Sequence, residues 1–219
     1  MAIVTTDNKY YTEIAAAIRE KNGSSDLYTP AQMAEAILAL SGGGLPSGFT
    51  PLSYIAGTDN QYIDTEFYPN QNTKIEIDFM CTGDISVFGT QNGFANQAFM
   101  YASSMACFGN VSNQSISAWS ANTRYTVSLS KDGLYRNGVL LWTPTYNEFT
   151  AAHTLTIMGN HEGGTVYAYD GRVYGARLFD NGKIICHYIP GTMDGEYGMY
   201  DIVNARFSGN AGSGAFTGG

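Results

Sequence analysis

From about residue 51 onward, apolar side chains recur at every second position, and Asn-Gly or Asp-Gly pairs interrupt them at short intervals. A period of two sends alternate residues to opposite faces of a strand, so one face can be buried while the other stays solvated. Lys74-Ile75-Glu76-Ile77-Asp78-Phe79 is the clearest case. Ile75, Ile77 and Phe79 fall on one face, and Lys74, Glu76 and Asp78 on the other. Residues 62–67 alternate as well. Asn137-Gly138 lies between Leu134-Tyr135-Arg136 and Val139-Leu140-Leu141-Trp142. It predicts a tight hairpin, because both central residues of such a turn need positive φ. Further strands are expected over 125–129, 154–158, 166–169, 172–179, 183–188 and 199–203. Turns are expected at Asp132-Gly133, Gly163-Gly164, Asp170-Gly171 and Asn181-Gly182. Many short antiparallel strands with no helix between them predict a β-sandwich or barrel. There is no internal repeat of fixed period.

The first 41 residues follow a different rule. Asp7 or Asn8 can cap a helix that places Tyr11, Ile14, Ala15 and Ile18 on one face, with Gly23 as its stop. Thr29-Pro30-Ala31-Gln32 reads as a second start, with Thr as cap, Pro in the first turn and Gln completing a capping box. Met33, Ile37 and Leu40 then share a stripe. The prediction is a helical hairpin over 1–41, a Gly/Pro/Ser linker over 42–50, and an all-β domain over 51–219. Helices this short are marginal alone in water, so their apolar stripes must pack on something. Tyr11, Ile14, Ile18, Met33 and Ile37 are therefore candidate subunit contacts.

Composition narrows the choice of partner. Lys and Arg number 11 against 19 Asp and Glu, a net charge of −8, and the sequence pI is near 4.7. Phosphate binding needs a basic face, so nucleic acid and anionic lipid surfaces are not expected partners. No apolar run approaches the length of a membrane span, so no membrane insertion is expected. The first residues lack a positive n-region and a long apolar h-region, so no signal peptide is expected and the chain is expected to fold in a cytoplasm. Cys81, Cys107 and Cys186 are widely spaced and odd in number, which predicts buried reduced thiols. His153, His161 and His187 are too scattered for a metal set.

From 85 to 123 there is no charged residue, yet the stretch holds Phe88, Phe94, Phe99, Tyr101, Phe108 and Trp119 among many amides. Three readings fit. The strands are buried on both faces, or they form a subunit contact surface that includes Phe99, or they form a carbohydrate-binding face. In the last case sugar rings would stack on flat aromatics, with Trp119, Trp142 and Tyr146 as the candidate glycan-binding residues.

Two resemblances bear on function. Tyr10-Tyr11-x-x-Ile14-Ala15-x-Ala17-Ile18-Arg19-x-Lys21-x-Gly23, with Tyr28-x-Pro30-x-x-Met33-Ala34-x-x-Ile37, resembles a small helical module at the start of structural proteins of tailed bacteriophages. The second runs from Tyr54-Ile55-x-x-Thr58-x-x-Gln61-Tyr62-Ile63-Asp64-Thr65, through Ser130-Lys131-Asp132-Gly133-Leu134-Tyr135 and Asp170-Gly171-Arg172-Val173-Tyr174. It closes at Gly198-Met199-Tyr200-Asp201-Ile202-Val203 and Asn210-Ala211-Gly212-Ser213-Gly214-Ala215-Phe216-Thr217. It is similar to the concanavalin A-like (laminin G-like) jelly-roll domains of phage tail, fibre and baseplate proteins. The resemblance implies a two-sheet jelly roll and a virion protein of tail-fibre or receptor-binding type. Its implied partners are other virion proteins, further copies of itself (often trimers in such fibres) and a bacterial surface polysaccharide. A purely architectural role, as capsid decoration or tail accessory subunit, is the alternative. Some glucanases of this fold carry Glu-x-Asp-x-Glu or Glu-x-Asp-x-x-Glu on one strand, because glycoside hydrolysis needs two carboxylates. Here Glu76-Ile77-Asp78 is followed by Met80 and Cys81 where the second Glu would stand, so an enzyme is not expected. Laminin G-like domains often hold Ca²⁺, for which Asp132, Asp170, Asp180 and Asp194 are available, although aspartate also favours turns for backbone reasons. No other cofactor is expected.

Overall fold

The computed structural model describes residues 8–22, 29, 45–58, 60–82, 86–92, 98–102, 104–109 and 114–219. The chain divides into two compact units, Met1–Ser47 and Gly48–Gly219. In the first unit the described element is one α-helix, Asn8–Asn22. It begins at the expected cap and ends one residue before Gly23. Ala15 and Ile18 are buried, whereas Ile14 is 40% exposed. Ile18 therefore has almost no surface to offer another subunit, while Ile14 and the half-buried Tyr11 keep theirs. The second helix of the expected hairpin, with Met33, Ile37 and Leu40, lies outside the described residues.

The second unit is mainly β, in two sheets. The larger has eleven strands. Its main path runs Val139–Trp142, Gly133–Arg136, Arg124–Ser130, Thr73–Cys81, Gly171–Asp180, Lys183–Met193, Glu196–Asp201 and Arg206–Ser208. The smaller has eight strands, with Ser86–Gln91, Ala98–Ala102 and Met105–Gly109 at its centre. Among the described residues all pairings are antiparallel except one, which sets His161 and Glu162 beside Thr90 and Gln91. The Asn137-Gly138 hairpin forms as expected, with φ of 51° and 77°. The Asn137 side-chain oxygen also accepts the Thr126 N–H at 2.9 Å, tying the turn to the next strand.

Two local expectations change. Residues 62–67 make only the short strand Ile63–Asp64. The Asp64 carboxylate accepts the Glu66 N–H at 2.8 Å and Glu66 takes φ 57°, an Asx turn that ends the ladder. Asp170-Gly171 is not a hairpin turn, because Gly171 opens a strand. A Cβ there would stand 2.7 Å from the Met80 carbonyl oxygen, so close approach rather than turn geometry requires the glycine.

Alternation on Thr73–Cys81 holds along its whole length, with odd positions buried and even positions half-exposed. Ile75, Ile77 and Phe79 share one hydrophobic cluster with Phe88, Phe99, Tyr101 and Phe108 of the smaller sheet. The Phe79 and Tyr101 rings meet edge to face at 6.2 Å. In the smaller sheet the opposite face is buried as well, where Ala98, Met100 and Cys107 form a second cluster. Burial on both faces accounts for the absence of charge from Ser86–Gln91, Ala98–Ala102 and Met105–Gly109, since a strand with no wet side has no position for a charge; residues 114–123 are mostly exposed and uncharged without that reason. Phe99 is fully buried, packed between Phe88 and Phe108, and so is core rather than a subunit contact. The three cysteines are buried and form no disulfide with one another. Burial pushes the Cys81 and Cys107 thiols up to about 12 and Cys186 to about 11.

Candidate functional site

The outward row of Thr73–Cys81 is Lys74, Glu76, Asp78 and Met80. Register fixes what lies beside it. Ser128 and Arg177 flank Glu76, while Thr126 and Gly175 flank Asp78. Beyond Arg177 stands His187, and beyond Ser128 stands Tyr135. These side chains line a groove of about 550 Å³ that Tyr174 and the Gly138 turn also border. Its surface combines hydroxyls, two tyrosine rings, an imidazole and paired charges.

Tyr174 reaches the groove through a bulge. Val173 pairs with Phe79 and Gly175 with Asp78, so Tyr174 is the extra residue. The inward side chains on either side are Val173 and Ala176, three residues apart, which leaves both Tyr174 and Gly175 facing outward. Arg124 lies over the Tyr174 ring at 3.8 Å, and the Tyr54 ring sits 5.8 Å from that of Tyr174.

Each groove carboxylate is held by cations. Glu76 meets Lys74 at 2.6 Å and Arg177 at 2.7 Å. Asp78 takes a two-pronged grip from Arg124, at 2.8 and 2.5 Å. The next outward position is Met80, and Cys81 points into the core, so the strand itself supplies no further carboxylate beyond Asp78.

The stacking residues expected from sequence are not brought to this groove. Trp119 is 8% exposed, with Phe79 at 5.3 Å and Tyr101 at 5.1 Å, and shows no open ring face. It is a core residue. Trp142 is half-buried on the outermost strand, opposite Leu134, and packs on the main core. Tyr146 lies edge-on to Phe108 at 5.3 Å. The residues that do line the groove include Tyr135, Tyr174, Arg177 and His187. Outward parity on the alternating strands points to Arg177 and His187; the bulge hides Tyr174. Asp132 and Asp194 lie in turns, Asp170 in a bend and Asp180 at the end of Gly171–Asp180, and among the described residues no group of three or more His, Cys, Asp or Glu converges to hold a metal ion.

Two histidines are held below their ordinary value of 6.5. For His187 burial is the main cause, with Arg177 adding to it against Asp201. For His161 burial leads again, followed by His153, whose ring stacks on it at 4.6 Å. A lowered folded-state value means that the unfolded chain takes the proton first. Their contribution to stability is fully present above pH 6.5 and is lost as pH falls below it toward the lowered values. The denaturant midpoint is expected to drop between pH 7 and 5. A His161→Gln/His187→Gln variant should lose less over the same interval, and parallel pH profiles would refute the assignment.

No protein family, no curated protein and no solved structure matches this chain.

Proposed function

We propose that this is a non-enzymatic virion protein of a tailed bacteriophage, of tail-fibre or receptor-binding type. In this reading the Gly48–Gly219 unit is a concanavalin A-like jelly roll that binds a host-surface glycan in the groove over Thr73–Cys81. The groove carries the reading. Sugar hydroxyls need donors and acceptors at fixed positions, and sugar rings need flat apolar faces. Thr126, Ser128, Glu76 and Asp78 supply the first, and Tyr135 and Tyr174 the second. The virion assignment rests on the sequence motifs of both units. Two sheets around one core are what a jelly roll requires. Binding without cleavage is favoured because both carboxylates are already paired with guanidinium groups. The architectural alternative draws support from Val139 and Leu140, which are 62% and 49% exposed on the outermost strand and suit contact with another protein.

The test is binding of the full chain to an array of bacterial surface polysaccharides, with released reducing ends measured in the same wells. Selective binding without release is expected. Tyr174→Ala should weaken it about tenfold, the scale of one lost stacking contact, ~1.4 kcal/mol. Binding unaffected by Tyr174→Ala would remove the groove as the site. Release of reducing ends would make the protein a hydrolase. No binding at all would favour the architectural role, and copy number on the particle would then be counted.

A further inference from the structure

We propose that the ligand of this groove is an acidic polysaccharide, laid lengthwise along the Thr73–Cys81 strand; this rests on the glycan reading above. The first observation is a local reversal of charge. The chain carries −8 overall. Yet around the groove Lys74, Arg124, Arg172 and Arg177, with Lys131 at its end, stand against Glu76, Asp78 and Asp132, while Glu196 lies on the same face two strands beyond Gly171–Asp180. The two groove carboxylates are consumed by Lys74, Arg177 and Arg124.

Arg172 is different. It stands two residues before Tyr174 on the same strand, about 7 Å away along it. Its guanidinium lies over the Tyr54 ring at 4.3 Å, and among the described residues no carboxylate pairs with it. Stacking uses the face of a guanidinium and leaves its N–H edge free, and that edge fits a carboxylate with two parallel hydrogen bonds. Arg124, Tyr174, Tyr54 and Arg172 thus form a continuous chain of contacts, the two rings tilted at 57°, in which one cation is satisfied by Asp78 and the other has no carboxylate partner among the described residues. A sugar ring against Tyr174 would bring an acidic substituent to Arg172.

The other end of the strand matches. A second hollow of about 440 Å³ is lined by Lys74, which Glu76 already holds, and by Lys131, Asp132 and Phe179, so Lys131 is the cation it offers a ligand. From the Arg172–Met80 row to Lys74 is six residues, about 20 Å. A polymer spans that distance and a single sugar does not. A nucleic acid fits poorly, because its charge, one per ~1.7 Å of duplex axis, far exceeds the small local excess of cations and meets a strongly acidic protein.

The experiment compares full-length protein binding to polygalacturonate with binding to the same polymer fully methyl-esterified, which keeps the backbone and removes the charge. At least tenfold tighter binding to the acid form is expected, with the gap closing as salt rises. Arg172→Gln, and separately Lys131→Gln at the far end, should each reduce the preference at least threefold. Equal affinity for both forms would overturn the acidic ligand and leave the groove reading standing. Binding to neither would overturn the acidic ligand, and the polysaccharide array with Tyr174→Ala decides the groove reading separately. Tighter binding to a single-stranded oligonucleotide than to polygalacturonate would also overturn the inference.

Discussion

Replacing Phe79 by alanine is expected to lower the stability of the β unit by about 3–5 kcal/mol. Phe79 is fully buried at the centre of the large sheet. Its ring touches Tyr125 on the neighbouring strand, Tyr101 in the opposite sheet and Trp119 on the segment between them, at 6.1, 6.2 and 5.3 Å. One side chain therefore joins three parts of the chain. Removing it forfeits the transfer energy of a large ring and leaves a hole bounded by other rings, which fill space poorly because they are rigid. Met80→Ala, one residue on and facing outward, should cost under about 1 kcal/mol and serves as the control. Both tryptophans of the chain, Trp119 and Trp142, belong to this unit. Tryptophan fluorescence during denaturant unfolding therefore reports on the β unit alone. A loss below about 1 kcal/mol for Phe79→Ala would mean that the two sheets do not depend on this junction.

The parts legible in the sequence are those governed by short-range rules. The 74–79 alternation gives the central strand and its two faces, because pleating alone decides which side each residue takes. Asn137-Gly138 gives the hairpin, because few other pairs tolerate positive φ twice in succession. Absence of charge from 85 to 123 is compatible with doubly buried strands, but composition cannot say which ring faces a core and which faces a ligand. Trp119 and Phe99 therefore suit a surface role by composition and are interior by tertiary packing. Tyr174 is hidden for another reason. A bulge shifts parity by one, and parity is the only sequence guide to facing. The stack of Arg124, Tyr174, Tyr54 and Arg172 joins residues from three distant segments, so only tertiary register assembles it.

Asp201→Ala is the second substitution with a large expected effect, again about 3–5 kcal/mol, and it tests how the groove wall is fixed to the interior. The Asp201 side chain is fully buried. One carboxylate oxygen accepts the backbone N–H of His187 at 2.9 Å and that of Val203 at 3.0 Å, and the other accepts the Asn204 amide at 2.5 Å. Alanine would take the acceptor from all three donors, at about 1–3 kcal/mol for the His187 N–H within the sheet and less for those of the exposed Val203 and Asn204, whose amide keeps the Ile185 carbonyl. Asp201→Asn keeps one oxygen for the two backbone donors and sets its own amide against that of Asn204, so a loss of only about 1–2 kcal/mol is expected. The ordering is the test. Equal losses for alanine and asparagine would mean that neither the two backbone bonds nor the side-chain volume matters, and that the charge and the Asn204 contact, which both variants remove, carry the whole effect. Because His187 borders the groove, Asp201→Ala should also shift the His187 ring resonances and weaken glycan binding, while Asp201→Asn leaves both near wild type. An interior carboxylate that orders a strand by its backbone, and through it an outward imidazole, connects the stability of the sheet with the shape of the surface it presents.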